Sequence, residues 1–263
     1  MQVTGKVVVV TGGANGIGRA LCEAFHRAGA AKVVVVDIDG AAARAVAAEF
    51  EGAAFKCDVA KEKDVLHVIE ETERQFGPIA LFCSNAGIGG GFDPLSVNAG
   101  GTSDEPFARS WAIHVMAHVY AARALVPKML ARGEGYLLNT ASAAGLLASM
   151  GLAPYGVTKH AGVALAEHLS IQYGDKGIRV SVLCPQAVDT NMLRMAGATA
   201  ASVDGVLPTD AVAQTVIDAM DTETFLILPH PEVKEYMARK LDRDRWLRGM
   251  RRLRDKTGEG QKR

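Results

Sequence analysis

The stretch Val7-Val8-Val9-Val10-Thr11-Gly12-Gly13-Ala14-Asn15-Gly16-Ile17-Gly18-Arg19-Ala20-Leu21 decides the fold. Four consecutive valines suit a strand covered on both faces, because a half-exposed strand alternates apolar with polar residues. The run ends in a glycine-rich turn, and a helical pattern begins at once with Arg19, Ala20 and Leu21. Strand, glycine turn and helix in that order open a βαβ unit. Further strand-like runs occur at 32–37, 53–58, 79–84, 135–142, 179–184 and 225–228, with helical periodicity between them. The expected fold is α/β: a doubly wound, mostly parallel, Rossmann-like sheet of about seven strands with helices on both faces. Helices are expected to begin near Gly16, Asp39, Lys61, Glu105, Pro154 and Thr209, with Asp39 and Thr209 as caps and Pro154 in a first turn.

Composition narrows the partners. The chain has 263 residues, 49% of them apolar, and 29 basic residues balance 29 acidic ones. That length fits one continuous sheet, so residues 1–263 read as a single domain. A balanced charge creates no broad field for nucleic acid or an anionic membrane, so a partner must be recognised at a local site. Met1 to Lys6 lack the charged start and apolar run of a secretion signal, and no apolar stretch reaches membrane-spanning length. Cytoplasmic residence is the expectation. Cys22, Cys57, Cys83 and Cys184 form no CxxC pair and read as reduced core residues.

In a βαβ unit the turn after the first strand is where a pyrophosphate meets bare backbone, with the helix N-terminus supplying N–H donors and positive dipole. Gly12, Asn15, Gly16, Ile17 and Gly18 are therefore candidates for holding a dinucleotide. Asp37 ends the second strand nineteen residues after Gly18, where a carboxylate can grip the adenine-ribose hydroxyls of NAD. The same carboxylate repels the extra phosphate of NADP, and neither Ala14 nor Ile38 offers a compensating cation. NAD is the expected cofactor.

A second constellation follows. The fifth strand ends in Asn139-Thr140-Ala141-Ser142, and thirteen residues after Ser142 come Tyr155-Gly156-Val157-Thr158-Lys159. Positions four apart share one helical face, so the Tyr155 phenol and Lys159 ammonium fall together. A phenol titrates near pH ~10, and a nearby cation lowers that value toward general acid/base duty. Ser142 stands at the sheet end where open α/β sheets bind ligands, placed to hold a substrate oxygen.

With these residues assembled, the chain resembles the short-chain dehydrogenase/reductase family in its single-domain form, over roughly residues 6–229. The resemblance is carried by the TGxxxGxG turn at Thr11 to Gly18, Asp58-Val59, Asn85-Ala86-Gly87, Ser142, YxxxK at Tyr155 to Lys159, and Pro185 with Thr190. It implies that Asp58 and Val59 contact adenine and that Asn85, Ala86 and Gly87 line the ribose side. It also implies that Lys159 bonds the nicotinamide ribose, and that Val188 and Thr190 fix the carboxamide. Helices over 105–132 and 155–176 are implied to pack into a homodimer or homotetramer. Two positions depart from the family pattern. His114 stands where an asparagine usually completes a proton relay to the lysine, and an imidazole there either carries protons itself or breaks the relay. Gln186 follows Pro185 where glycine is common. His114 and His118 have helical metal-ligand spacing, but neither HExxH nor a third ligand accompanies them, so no metal is expected.

Three stretches lie outside the strand-helix rhythm. Residues 87–104 read as a functional rim or an insertion. Residues 186–207 carry Met192, Leu193 and Met195, and read as a substrate lid or a subunit contact. From about residue 239 a charged amphipathic helix with Trp246, Leu247, Met250 and Leu253 needs a protein surface to cover its apolar positions, and a polar tail follows. The leading functional reading is an NAD-dependent oxidoreductase interconverting a secondary alcohol and a ketone on a mainly apolar small molecule. The alternative is an NAD-binding sensor or scaffold with little turnover.

Overall fold

The computed structural model describes residues 1–89, 103–196 and 200–257. The 87–104 rim and the tail after 255 therefore fall largely outside the described residues, as do positions 197–199 of the 186–207 stretch. Seven strands form one sheet: β1 (Val7–Thr11), β2 (Lys32–Asp37), β3 (Ala53–Lys56), β4 (Ile79–Ser84), β5 (Gly135–Thr140), β6 (Ile178–Leu183) and β7 (Leu226–Ile227). Their order is β3-β2-β1-β4-β5-β6-β7, and every neighbouring pair is parallel. The direction of winding reverses between β1 and β4, so the crevice beyond their carboxyl ends is where such a sheet binds ligands.

The valine runs explain the layering. Successive side chains of a strand point to opposite faces. Val7 and Val9 enter one core with Val34, Phe82 and Leu137, beneath α3 (Glu62–Phe76), α5 (Ala117–Arg132) and α6 (Ala153–Tyr173). Val8 and Val10 enter the other core with Val33, Leu81 and Leu138, beneath α1 (Gly16–Arg27), α2 (Gly40–Ala48) and α8 (Thr209–Asp221). Both faces are thus dry, as an unbroken apolar run requires. The remaining helices are α4 (Asp104–Trp111), α7 (Asn191–Ala196), α9 (Glu232–Arg239) and α10 (Arg243–Thr257).

The expected helix starts hold to within one residue. Asp39 caps α2, its carboxylate accepting from the Ala41 and Ala42 N–H groups. Thr209 does not cap α8. Pro208 occupies that position and Thr209 opens the helix, because the fixed extended approach at Pro208 sets the boundary one residue earlier. Between α4 and α5 the residues Ala112–Met116 form a π-helical turn, a local widening that rotates His114 toward the interior.

Candidate active site

The glycine turn closes against the opposite strand. Gly12 has φ of 64°, and a Cβ there would stand 2.9 Å from the Ala86 Cα, so only glycine lets the β1 and β4 ends approach. Asn85 clasps this junction: its amide donates to the Thr11 carbonyl at 3.0 Å and its oxygen accepts from the Thr140 hydroxyl at 3.1 Å. The Thr11 hydroxyl accepts from the Asn85 and Ala86 N–H groups. Asn85 thus ties β1, β4 and β5 together through its side chain, a role that needed the sheet order to become visible.

Asn15 makes no side-chain cap and the first turn of α1 has no acidic residue, so the positive helix end faces the cleft uncompensated. Asp37 is aimed from the end of β2, its carboxylate oxygens accepting from the Ala14 and Asp39 N–H groups at 3.1 and 3.0 Å. Gly12, Asn15, Gly16, Ile17, Gly18, Asp37, Ile38, Asp58, Val59, Asn85, Ala86, Gly87, Pro185, Val188 and Thr190 all line one cleft of about 1470 Å³. A bare glycine turn, an open helix end and a carboxylate beyond it match a dinucleotide's pyrophosphate and ribose.

Ser142, Tyr155 and Lys159 line the same cleft. Ser142 begins a 3-10 turn, Ala143–Gly145, and accepts the Ala144 N–H at 3.1 Å. That turn packs directly on α6: a Cβ on Gly145 would lie 2.6 Å from the Lys159 carbonyl oxygen. The close approach brings Ser142 within hydrogen-bonding influence of the Tyr155 hydroxyl. The Ser142 hydroxyl's own acceptor, the Pro185 carbonyl, is distant at 3.4 Å, which leaves the proton available to a substrate oxygen. Lys159 is buried and donates to the Thr140 carbonyl at 3.1 Å.

The electrostatics correct one expectation. Burial pushes the Tyr155 phenol above its usual value, with the Ser142 hydrogen bond only partly offsetting it. Lys159 is itself pushed down to about 8 by burial. In the protein alone, therefore, desolvation outweighs the anticipated lowering of Tyr155 by Lys159.

His114 is buried with both ring nitrogens committed. Nε2 accepts the Ile88 N–H at 3.1 Å, and Nδ1 meets the Thr158 hydroxyl at 2.9 Å. Because Nε2 accepts, the network assigns the ring proton to Nδ1, which donates to Thr158; the Thr158 proton goes to the Pro154 carbonyl at 2.7 Å. Burial holds His114 neutral, its pKa pushed down to about 2. The ring meets Tyr155 edge-on at 5.5 Å. One turn on, His118 is also buried, and neither of its nitrogens finds a hydrogen-bond partner among the described residues. Gln186 lines the cleft, its N–H bonded to His230 Nδ1 at 3.2 Å.

Beyond Ser142, Tyr155 and Lys159 the wall turns apolar with Leu147, Met150, Leu152, Met192 and Leu193. The C-terminal helix supplies the rest: Trp246, Met250 and Leu253 of α10 face the cleft. Their spacing was legible in the sequence, but the surface they cover is assembled from distant segments. Lys240 anchors this arm by donating to the Leu146 carbonyl. Thr140 and Thr158, which orient Asn85 and His114, carried no sequence signal of their own beyond lying beside the motifs.

A parallel seven-stranded sheet whose switch point carries a dinucleotide cradle beside a serine, a tyrosine and a lysine defines a Rossmann-type oxidoreductase. The family model described as short chain dehydrogenase matches residues 6–201, and the chain belongs to that family. It is 35% identical to 1-deoxy-11-beta-hydroxypentalenate dehydrogenase of Streptomyces exfoliatus, over 94% of this chain and 90% of that one. It is 38% identical to 2,5-dichloro-2,5-cyclohexadiene-1,4-diol dehydrogenase of Sphingobium indicum, over 74% of this chain and 77% of that one. Among solved structures, a short chain dehydrogenase/reductase from Burkholderia phymatum in complex with NAD superposes with a TM-score of 0.79 at 27% identity, covering 90% of this chain and 93% of that one.

Proposed function

We propose that this protein is an NAD-dependent dehydrogenase/reductase that interconverts a secondary alcohol and a ketone on an apolar small molecule. The observation that carries the reading is the convergence of Ser142, Tyr155 and Lys159 on one cleft with Asp37 and the glycine turn. Asp37 takes the adenine-ribose hydroxyls, Asp58 and Val59 flank the adenine, and Val188 with Thr190 holds the carboxamide end. When bound, the nicotinamide supplies or accepts the hydride. Ser142 donates a hydrogen bond to the substrate oxygen, and Tyr155 takes that oxygen's proton in oxidation or returns it in reduction. Lys159, held by Thr140, keeps a positive charge beside the phenol. His114 is a positioning residue: it ties the Ile88 backbone to α6 next to Tyr155 and does not carry the proton itself.

The finer assignments rest on separate observations. Residues 186–207 act as the substrate lid, supported by Met192 and Leu193 in the cleft wall, and residues 1–263 work as one domain. Assembly as a homodimer or homotetramer is supported by Trp111 on α4 and Val157 and Ile171 on α6, all exposed. A cytoplasmic setting is supported by four unpaired, buried thiols. Among the described residues no helix is long and apolar enough to cross a membrane.

The test is turnover of a panel of cyclic secondary alcohols with NAD, read as NADH absorbance, beside Tyr155→Phe. Oxidation by the wild type and a loss of at least about 100-fold in the variant is expected. NAD binding without oxidation of any panel member would favour a sensor, and full activity in Tyr155→Phe would remove the phenol from the mechanism.

A further inference from the structure

The face that α10 turns to the cleft is not uniformly apolar. Beside the stripe Trp246, Met250 and Leu253 runs a second one, Arg245, Gly249 and Arg252, at the same i, i+4, i+7 spacing, and all six line the cleft. Neither the Arg245 nor the Arg252 side chain has an ion-pair partner among the described residues. The carboxylate beside them, Asp242, accepts the Arg245 backbone N–H and leaves its guanidinium unengaged.

Gly249 sits between the two arginines, mid-helix, where glycine disfavours the helix and needs a reason. Packing is not that reason: among the described residues a Cβ built there meets nothing within 4 Å. The missing side chain leaves a notch. Arg252 lies seven positions after Arg245, a rise of about 10 Å along the axis that two long guanidinium side chains can close over bare backbone. Planar guanidinium groups favour carboxylate oxygens, which they bind bidentately. The arm is fixed at the substrate end, because Lys240 donates to the Leu146 carbonyl just beyond the Ser142 turn and contacts His160 Nε2 at 3.3 Å.

We infer that the substrate is a hydroxy acid whose carboxylate lies in the Gly249 notch between Arg245 and Arg252 while its apolar skeleton packs under Trp246, Met250 and Leu253. This deepens the proposed function and rests on it for the reacting end of the molecule. The cleft then reads one substrate from both ends, with Ser142 and Tyr155 at the alcohol and the α10 arginines at the acid.

The probes are hydroxydecalin carboxylates and their methyl esters, given to NADH-loaded protein for calorimetric binding and to NAD-loaded protein for turnover. In the wild type the acids bind at least about tenfold more tightly than their esters. Arg245→Gln and Arg252→Gln each lose most of that preference, with ester binding changed less than twofold. Gly249→Leu fills the notch and does the same to the acids. Arg251→Gln, on the face of α10 away from the cleft, leaves the preference intact. Equal binding of acid and ester in the wild type, or a preference that survives both arginine variants, overturns the inference. Arginine-dependent acid binding without oxidation of any probe leaves the carboxylate site standing and counts against the dehydrogenase reading. Oxidation of esters with no acid preference does the opposite.

Discussion

The Lys159 ammonium lies 5.5 Å from the centre of the Tyr155 ring, one helical turn along α6, with its proton donor engaged by the Thr140 carbonyl. Because burial brings this ammonium down to about 8, its charge is present below that pH and is lost as pH rises through it. In the proposed mechanism ketone reduction needs the charged lysine and the protonated phenol together. The value of kcat/KM for reduction should therefore fall above about pH 8, since that parameter reports groups of the free enzyme. A profile flat from pH 6.5 to 9.5 would contradict this arrangement.

Asp37 accepts two backbone N–H groups and faces the cleft with its remaining lone pairs. Losing a charge-assisted hydrogen bond costs about 1.5–3 kcal/mol, so Asp37→Ala should weaken NAD binding roughly tenfold or more. Removing the carboxylate also lifts the repulsion of a 2′-phosphate, and the NADP affinity should rise. Fluorescence titration with both cofactors checks the pair of effects; an NADP affinity equal to that for NAD in the wild type would refute the selectivity argument.

His114 bridges the Ile88 N–H and the Thr158 hydroxyl, and asparagine has the acceptor and the donor to imitate it. His114→Asn should retain kcat within about tenfold and leave the pH dependence of kcat unmoved, whereas His114→Leu should lose about 1–3 kcal/mol of stability through the unpaired buried N–H. If the imidazole instead carries protons, the asparagine variant will show a shifted or flattened pH profile.

His118 is buried with no hydrogen-bond partner among the described residues and is held neutral, with its pKa pushed down to about 3 by burial. The unfolded chain takes up that proton near pH 6.5, and the folded chain resists it. Stability from this group is therefore complete above about pH 6.5 and declines as pH falls toward 3, by up to about 1.4 kcal/mol per pH unit. His118→Leu should raise Tm at neutral pH and make its fall between pH 7 and pH 5 shallower. A steeper fall in the variant would show that the histidine contributes stability in acid.

Much of this was written in local patterns. The valine runs of β1 and β2 suited strands dry on both faces, as found, and Gly12, Asp37, Tyr155 and Lys159 stood out as candidates for a cofactor cradle and a proton donor through spacings set by the turn, the strand and the helix. Where a chemistry depends on neighbours within one element, sequence distance stands in for spatial distance. Three features escaped that rule because they join segments far apart in the chain. The Asn85 clasp needs β1, β4 and β5 side by side, the upward push on Tyr155 needs the dry pocket closed around it, and the α10 arginines acquire a target only when the C-terminal arm folds over the Ser142 turn. Burial and long-range contact come from packing, and packing is settled by the whole chain at once.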